Sequence, residues 1–107
     1  MPDVQRSVNS AKLNTFSSLS PALSDLTRWR MLAAIAEAGP LQVVELAQRL
    51  NVPATNISKH ITVLRRAGIV TNDRPKLYGI APEYQVPGQP ALDFGVCLLR
   101  LDRLPAS

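Results

Sequence analysis

Between Leu26 and Leu64 apolar residues recur three or four positions apart, the spacing that gathers them on one side of an α-helix. Ahead of this region, Phe16, Leu19 and Leu23 share that spacing in TFSSLSPAL, but Pro21 interrupts it. The pattern predicts either a short helix ending before Pro21 or two turns around it. Ser24 and Asp25 are good caps for LTRWRMLAAIAEAG, where Leu26, Trp29, Leu32, Ile35 and Ala36 form the expected stripe and Gly39-Pro40 stops the helix. LQVVELAQRL repeats the pattern with Val43, Leu46, Ala47 and Leu50, and Asn51 then supplies a residue tolerant of the left-handed turn. In ATNISKHITVLRRAG, Ile57, Ile61, Leu64 and Gly68 fall on one arc, predicted to face the core. Thr55, Lys59, Thr62 and Arg66 lie opposite, flanked by Asn56 and Val63.

After Gly68 the period changes. Two β-prone runs, Ile69 to Thr71 and Leu77 to Ile80, surround the turn-rich NDRP and predict a small hairpin. APEYQVPGQP, with three prolines and a glycine, reads as an extended connection. The next segment has two readings: Leu92, Val96, Leu99 and Arg103 fit a helix, while Leu92, Phe94, Val96 and Leu98 alternate as in a strand. Leu99, Leu101 and Leu104 tilt the expectation slightly to helix, and Gly95 weakens both readings. Three regions follow: a flexible arm over residues 1–14, a folded unit over 15–80, and a proline-rich connection with a C-terminal segment over 81–107, expected to serve dimerisation.

At 107 residues and 46% hydrophobic content the chain is sized for one domain with one core. A core this small is often reinforced by oligomerisation. No run approaches the length of a membrane helix, and MPDVQRSVNS lacks the layout of a signal peptide, which predicts a cytoplasmic protein. The net charge is +4, and its placement is more informative than its size. Pro53 to Ile80 holds Lys59, Arg65, Arg66, Arg74 and Lys76 against Asp73 alone, whereas the remainder carries seven basic and seven acidic residues. All the excess positive charge lies in one segment, the footprint of a polyanion-binding surface.

Helix, helix, tight turn, basic amphipathic helix and hairpin is the order of a winged helix-turn-helix, a mainly α fold with a small β-hairpin. The second helix of the pair then enters the major groove of double-stranded DNA while the hairpin lies along the backbone. Leu23 to Ile80 also resembles the ArsR/SmtB family of bacterial dimeric repressors. SDLTRWRML is similar to the family's SDPTRLRIL, and NISKHITVLRRAGIV, after VVELAQRLNV, is similar to VSxHLxxLRxAGLV. The resemblance implies a homodimer that binds an operator as a transcriptional regulator and releases it when an effector, here unspecified, binds.

By position in these motifs, Thr55, Asn56, Ser58, Lys59 and His60 match the family's groove-facing residues. The amide of Asn56 suits adenine, and Lys59 can reach guanine or phosphate. Arg74 and Lys76 at the wing tip would neutralise phosphates, and Arg66, with Arg65, would contact or steer toward the backbone. Plainer readings stand beside these: His60 as a half-buried structural histidine, Arg65 and Arg66 as a solvated face, Trp29 as core and Tyr78 as wing packing. Pro53 stands where the family commonly has a capping serine.

The family's best-known metal site needs cysteines where this chain has Gln42 and Val44, and His60 is the only histidine. No metal or cofactor is expected. Cys97, flanked by apolar residues, reads either as a small buried hydrophobe or as a redox thiol. No nucleophile and base pair, phosphate-cradling loop or paired carboxylates support an enzyme. Against a DNA-binding regulator stand a winged helix that binds protein, through Trp29, the connection or the C-terminal leucines, and a non-catalytic subunit of a larger complex. The concentration of charge on helix and wing favours DNA.

Overall fold

The computed structural model describes residues 16–102; the arm expected over residues 1–14 lies outside them, as do residues 103–107. Residues 16–19 are helical and run into a 3-10 turn, Ser20–Leu23, that places Pro21 where its missing amide costs nothing. Three α-helices follow: α1 (Leu26–Ala38), α2 (Val43–Leu50) and α3 (Ala54–Arg66). β1 (Val70–Arg74) and β2 (Leu77–Ile80) form the antiparallel wing, and β3 (Ala91–Asp93) pairs with β4 (Leu98–Arg100) in a second hairpin.

Local chemistry sets the helix ends. The Asp25 carboxylate accepts the Arg28 amide at 3.1 Å and caps α1, which ends at Gly39 with φ +87°. Glu45 reaches back to the Gln42 amide at 2.9 Å and starts α2. Asn51 adopts the left-handed conformation, φ 57° and ψ 49°, and turns the chain from α2 toward α3. At the end of α3, Gly68 donates to Arg65 and Ile69 to Leu64, the paired bonds of a Schellman motif.

The core takes Leu46 and Leu50 from α2 and Ile57, Ile61 and Leu64 from α3. Two details differ from the periodic reading. In α1, Met31, Leu32 and Ile35 face inward while Leu26 is 43% exposed, because the helix is apolar on more than one side and periodicity does not choose between them. Gly68, expected on the core arc, is exposed at φ +79°: it lies beyond the last helical turn, and Ile69 fills the core position instead.

The wing is tied to the helices through backbone. Leu41, between α1 and α2, exchanges two hydrogen bonds with Tyr78 of β2, at 3.0 and 2.9 Å. Beside this bridge, a Cβ on Gly79 would sit 3.2 Å from the Pro40 ring, so glycine permits the close approach.

The C-terminal segment corrects the expectation of a helix. It is a hairpin with Leu92↔Leu99 in register and Phe94 donating to the Cys97 carbonyl across the turn. Leu92 and Leu101 are fully buried in the same core as α1. Phe94 stacks between Phe16 and Tyr84 at ring-centroid distances of 5.3 and 5.0 Å, and Trp29 Nε1 donates to the Leu101 carbonyl at 3.4 Å. The strand reading holds only in part: Gly95, at φ +86°, turns the chain, so Leu92 and Phe94 are buried, Val96 falls in the turn and Leu98 is exposed. Because Leu92 belongs to the main core, Leu92→Ala is expected to destabilise the whole domain by about 2–5 kcal/mol. Urea unfolding followed by circular dichroism should show this as one lowered midpoint, not as a separate early transition.

Candidate nucleic-acid interface

The recognition helix of a helix-turn-helix must bury one side while presenting the other, and α3 does both. Ile57, Ile61 and Leu64 are buried, at i, i+4 and i+7. Thr55, Asn56, Ser58, Lys59, Thr62 and Arg66 are all exposed, as expected from the arc. Pro53 caps without a side chain: its carbonyl accepts the amides of Asn56 and Ile57 at 3.0 and 3.1 Å. The first amides, those of Ala54 and Thr55, therefore keep the positive end of the helix dipole open toward solvent. At about 1.5 Å per residue, α3 is about 20 Å long, enough to cross a major groove about 12 Å wide.

Arg65 and Arg66 join Ser58, Thr62 and Tyr78 around a cleft of about 270 Å³ between α3 and the wing. Arg74 and Lys76 are exposed at either side of the wing turn, where Lys76 takes a left-handed φ of 66°. Arg74 also borders a larger groove, about 1050 Å³, between the wing, the end of α1 and the proline-rich connection. Helix and wing thus carry separate basic clusters with Tyr78 between them, half-buried against the core.

His60 is placed differently from its neighbours. It is half-buried, and its Nδ1 lies 3.1 Å from a guanidinium nitrogen of Arg28. The same guanidinium donates from Nε to the Ala22 carbonyl at 2.7 Å. Arg28 is a site residue that sequence reasoning missed; 32 positions separate it from His60, and no local pattern joins them. Partial burial acts to raise the nearby Asp25 carboxyl, but the Arg28 amide, the charges of His60 and Arg28 and the Thr27 amide outweigh it and hold it below the ordinary carboxylate value.

Trp29 is packed against the core, in keeping with its reading as a core residue. Cys97 corrects the reading of a buried hydrophobe: it is exposed in the β3–β4 turn, since the hairpin places residues 94–97 at its tip. Desolvation and the neighbouring Asp93 charge push its thiol up, which lowers the thiolate fraction available for redox chemistry. Among the described residues no three His, Cys, Asp or Glu side chains gather closely enough to hold a metal ion, and no helix is long and apolar enough to cross a membrane.

Residues 23–72 match the family described as helix-turn-helix domain. The arsenic resistance transcriptional regulator ArsR1 of Pseudomonas putida is 44% identical over 52 residues, covering 49% of this chain and 41% of that protein. An uncharacterized HTH-type transcriptional regulator of Methanocaldococcus jannaschii is 34% identical over 59 residues, covering 55% of this chain and 66% of its own length. A further uncharacterized protein of that archaeon is 30% identical over 57 residues, covering 53% of this chain and 25% of its own length. The chain thus spans between a quarter and just under two thirds of the length of these relatives. Taken with the winged architecture around α3, these likenesses mark residues 23–72 as a helix-turn-helix domain similar to those of transcriptional regulators. Over about half of its length the chain is thus similar to an arsenic resistance regulator, in line with the ArsR resemblance carried by SDLTRWRML and NISKHITVLRRAGIV.

The Asp25 cap stands at the base of this site. Asp25→Ala is expected to cost about 1 kcal/mol at neutral pH. Because the folded carboxyl titrates below its unfolded value of about 3.9, the charged cap's contribution is complete above that value and is lost as pH falls through the lowered one. Urea unfolding of wild type and variant at about pH 7 and about pH 2.5 should show the gap closing in acid.

Proposed function

We propose that this protein is a DNA-binding transcriptional regulator that acts as a repressor in the cytoplasm, binding its operator as a homodimer. The observation that carries the reading is the union of two independent features on α3: packing leaves Thr55, Asn56, Ser58, Lys59 and Arg66 exposed, and the chain's whole positive excess lies on this helix and the wing. Thr55, Asn56, Ser58 and Lys59 contact base edges and nearby phosphates, with Asn56 suited to adenine and Lys59 to guanine. Arg66, Arg74 and Lys76 neutralise backbone phosphates and give affinity without sequence information. His60, with Nδ1 engaged by Arg28, has its other ring nitrogen left for a backbone phosphate.

The regulator names of two relatives support this reading. A homodimer through the terminal segments is supported by two exposed leucines, Leu26 of α1 at 43% and Leu98 of β4 at 48%. Large apolar side chains left in solvent call for cover.

Gel shifts with a duplex from the chain's own upstream region, run across a salt series, test the DNA face. The logarithm of affinity should fall linearly with that of salt, by about 0.9 per phosphate contact. Lys59→Ala and Arg74→Ala should each weaken binding, and Arg74→Ala should also lower the slope by about one. Unchanged affinity and slope in both variants would refute the assigned face. Sedimentation tests the dimer: Leu98→Asp should shift the protein from dimer to monomer, and an unaltered dimer would remove the C-terminal hairpin from the interface.

A further inference from the structure

We propose that Arg28 and His60 are a positioning pair that sets the rotation of α3 against α1, with His60 acting through its neutral, Nε2-protonated form and not as a reader of bases. The proposal rests on the DNA-binding reading of α3 and deepens it.

The guanidinium of Arg28 is held before it reaches α3. Its Nε donates to the Ala22 carbonyl at 2.7 Å, one terminal nitrogen lies 3.5 Å from the Pro21 carbonyl, and the other lies 3.1 Å from His60 Nδ1. Its backbone amide is tied to Asp25. Arginine has five donors, no acceptor and a permanent charge, so His60 must present a lone pair at Nδ1 and carry its proton on Nε2. Apolar contacts of Ile57, Ile61 and Leu64 hold α3 to the core, but they are non-directional. A hydrogen bond to an anchored guanidinium has a direction, and it acts on the residue beside Lys59 and one turn after Asn56.

Protonation of the imidazole would set two donors and two positive charges face to face at 3.1 Å, and the contact would open. Asp25 and Arg28 are the charged groups facing the ring from α1, and Asp25 offsets part of that repulsion. α2 and β1 also pack on α3 and bring Glu45, Arg49 and Arg74, none of which bonds to the imidazole among the described residues. An added positive charge does not weaken attraction to phosphate. The cost of protonation therefore falls on discrimination between sequences, not on general affinity for DNA.

His60 is the only histidine, so the nitrogen-15 NMR signals of its ring can be followed alone in the full chain. At about pH 8 they should report a protonated Nε2 and a bare Nδ1. Binding is then measured with a duplex of about three helical turns, roughly 30 base pairs, that the wild type selects from a random pool, against a scrambled duplex. His60→Asn puts an acceptor oxygen where Nδ1 stands; it should keep the ratio of the two affinities within about threefold of the wild-type value. His60→Gln, whose amide reaches the Nε2 position, and Arg28→Ala should each lose about tenfold in the ratio at about pH 8. Circular dichroism checks that the variants fold, and the wild-type tautomer decides the matter if they do not. An Nδ1-protonated ring, or selectivity kept by His60→Gln and lost by His60→Asn, would each overturn the pair while leaving DNA binding intact. Failure of the wild type to select any duplex would overturn the functional reading itself, and the positioning role with it, whichever tautomer is found.

Discussion

Burial of Ile57, Ile61 and Leu64 against α1 and α2 is the constraint on which the rest depends. These side chains leave α3 little freedom to roll without exposing about 1.5–3 kcal/mol of apolar surface for each. Once that side is committed to the core, the opposite one must face water. Thr55, Asn56, Lys59 and Arg66 are there for that reason, and not because any contact among them holds them out. The polar hinge before α3 serves the same end. The left-handed turn at Asn51 brings α2 and α3 together, and the bare Pro53 cap leaves the helix start open to an anion.

The wing and the helix pair are joined by backbone bonds where side-chain packing could have slipped. Leu41 and Tyr78 exchange both of their amide bonds, and Gly79 lets the Pro40 ring come close. Arg74 and Lys76 are therefore carried on a hairpin whose base is fixed to the α1–α2 connection. The Schellman bonds at Gly68 and Ile69 fix its other end to α3. Two basic clusters with no direct contact thus share one rigid frame, an arrangement suited to a polymer with regularly spaced charges.

The C-terminal hairpin is an integral part of that frame. Leu92 and Leu101 complete the core, and Phe94 bridges residues 16–19 to the connection through Phe16 and Tyr84. Its outer side, with Leu98, remains exposed. A dimer built there would use strands where the family's resemblance implies a different terminal element.

Much of the fold was legible in the chain, because α2 and α3 have one apolar side each and a turn residue between them. The same periodicity defined which face of α3 is free, and the local charge excess marked it as basic. Where a segment offered two apolar sides or two periods, sequence alone could not choose: Leu26 against Met31 in α1, helix against strand after Pro90, and core against tip for Cys97 were decided by contacts between distant parts of the chain. His60 is the clearest case. Its helical phase placed it at the border of the buried side, but only tertiary folding brought Arg28 within 3.1 Å of its ring. Short-range patterns determine faces and caps; the partner of a border residue depends on how helices cross, and that angle is set by the whole core.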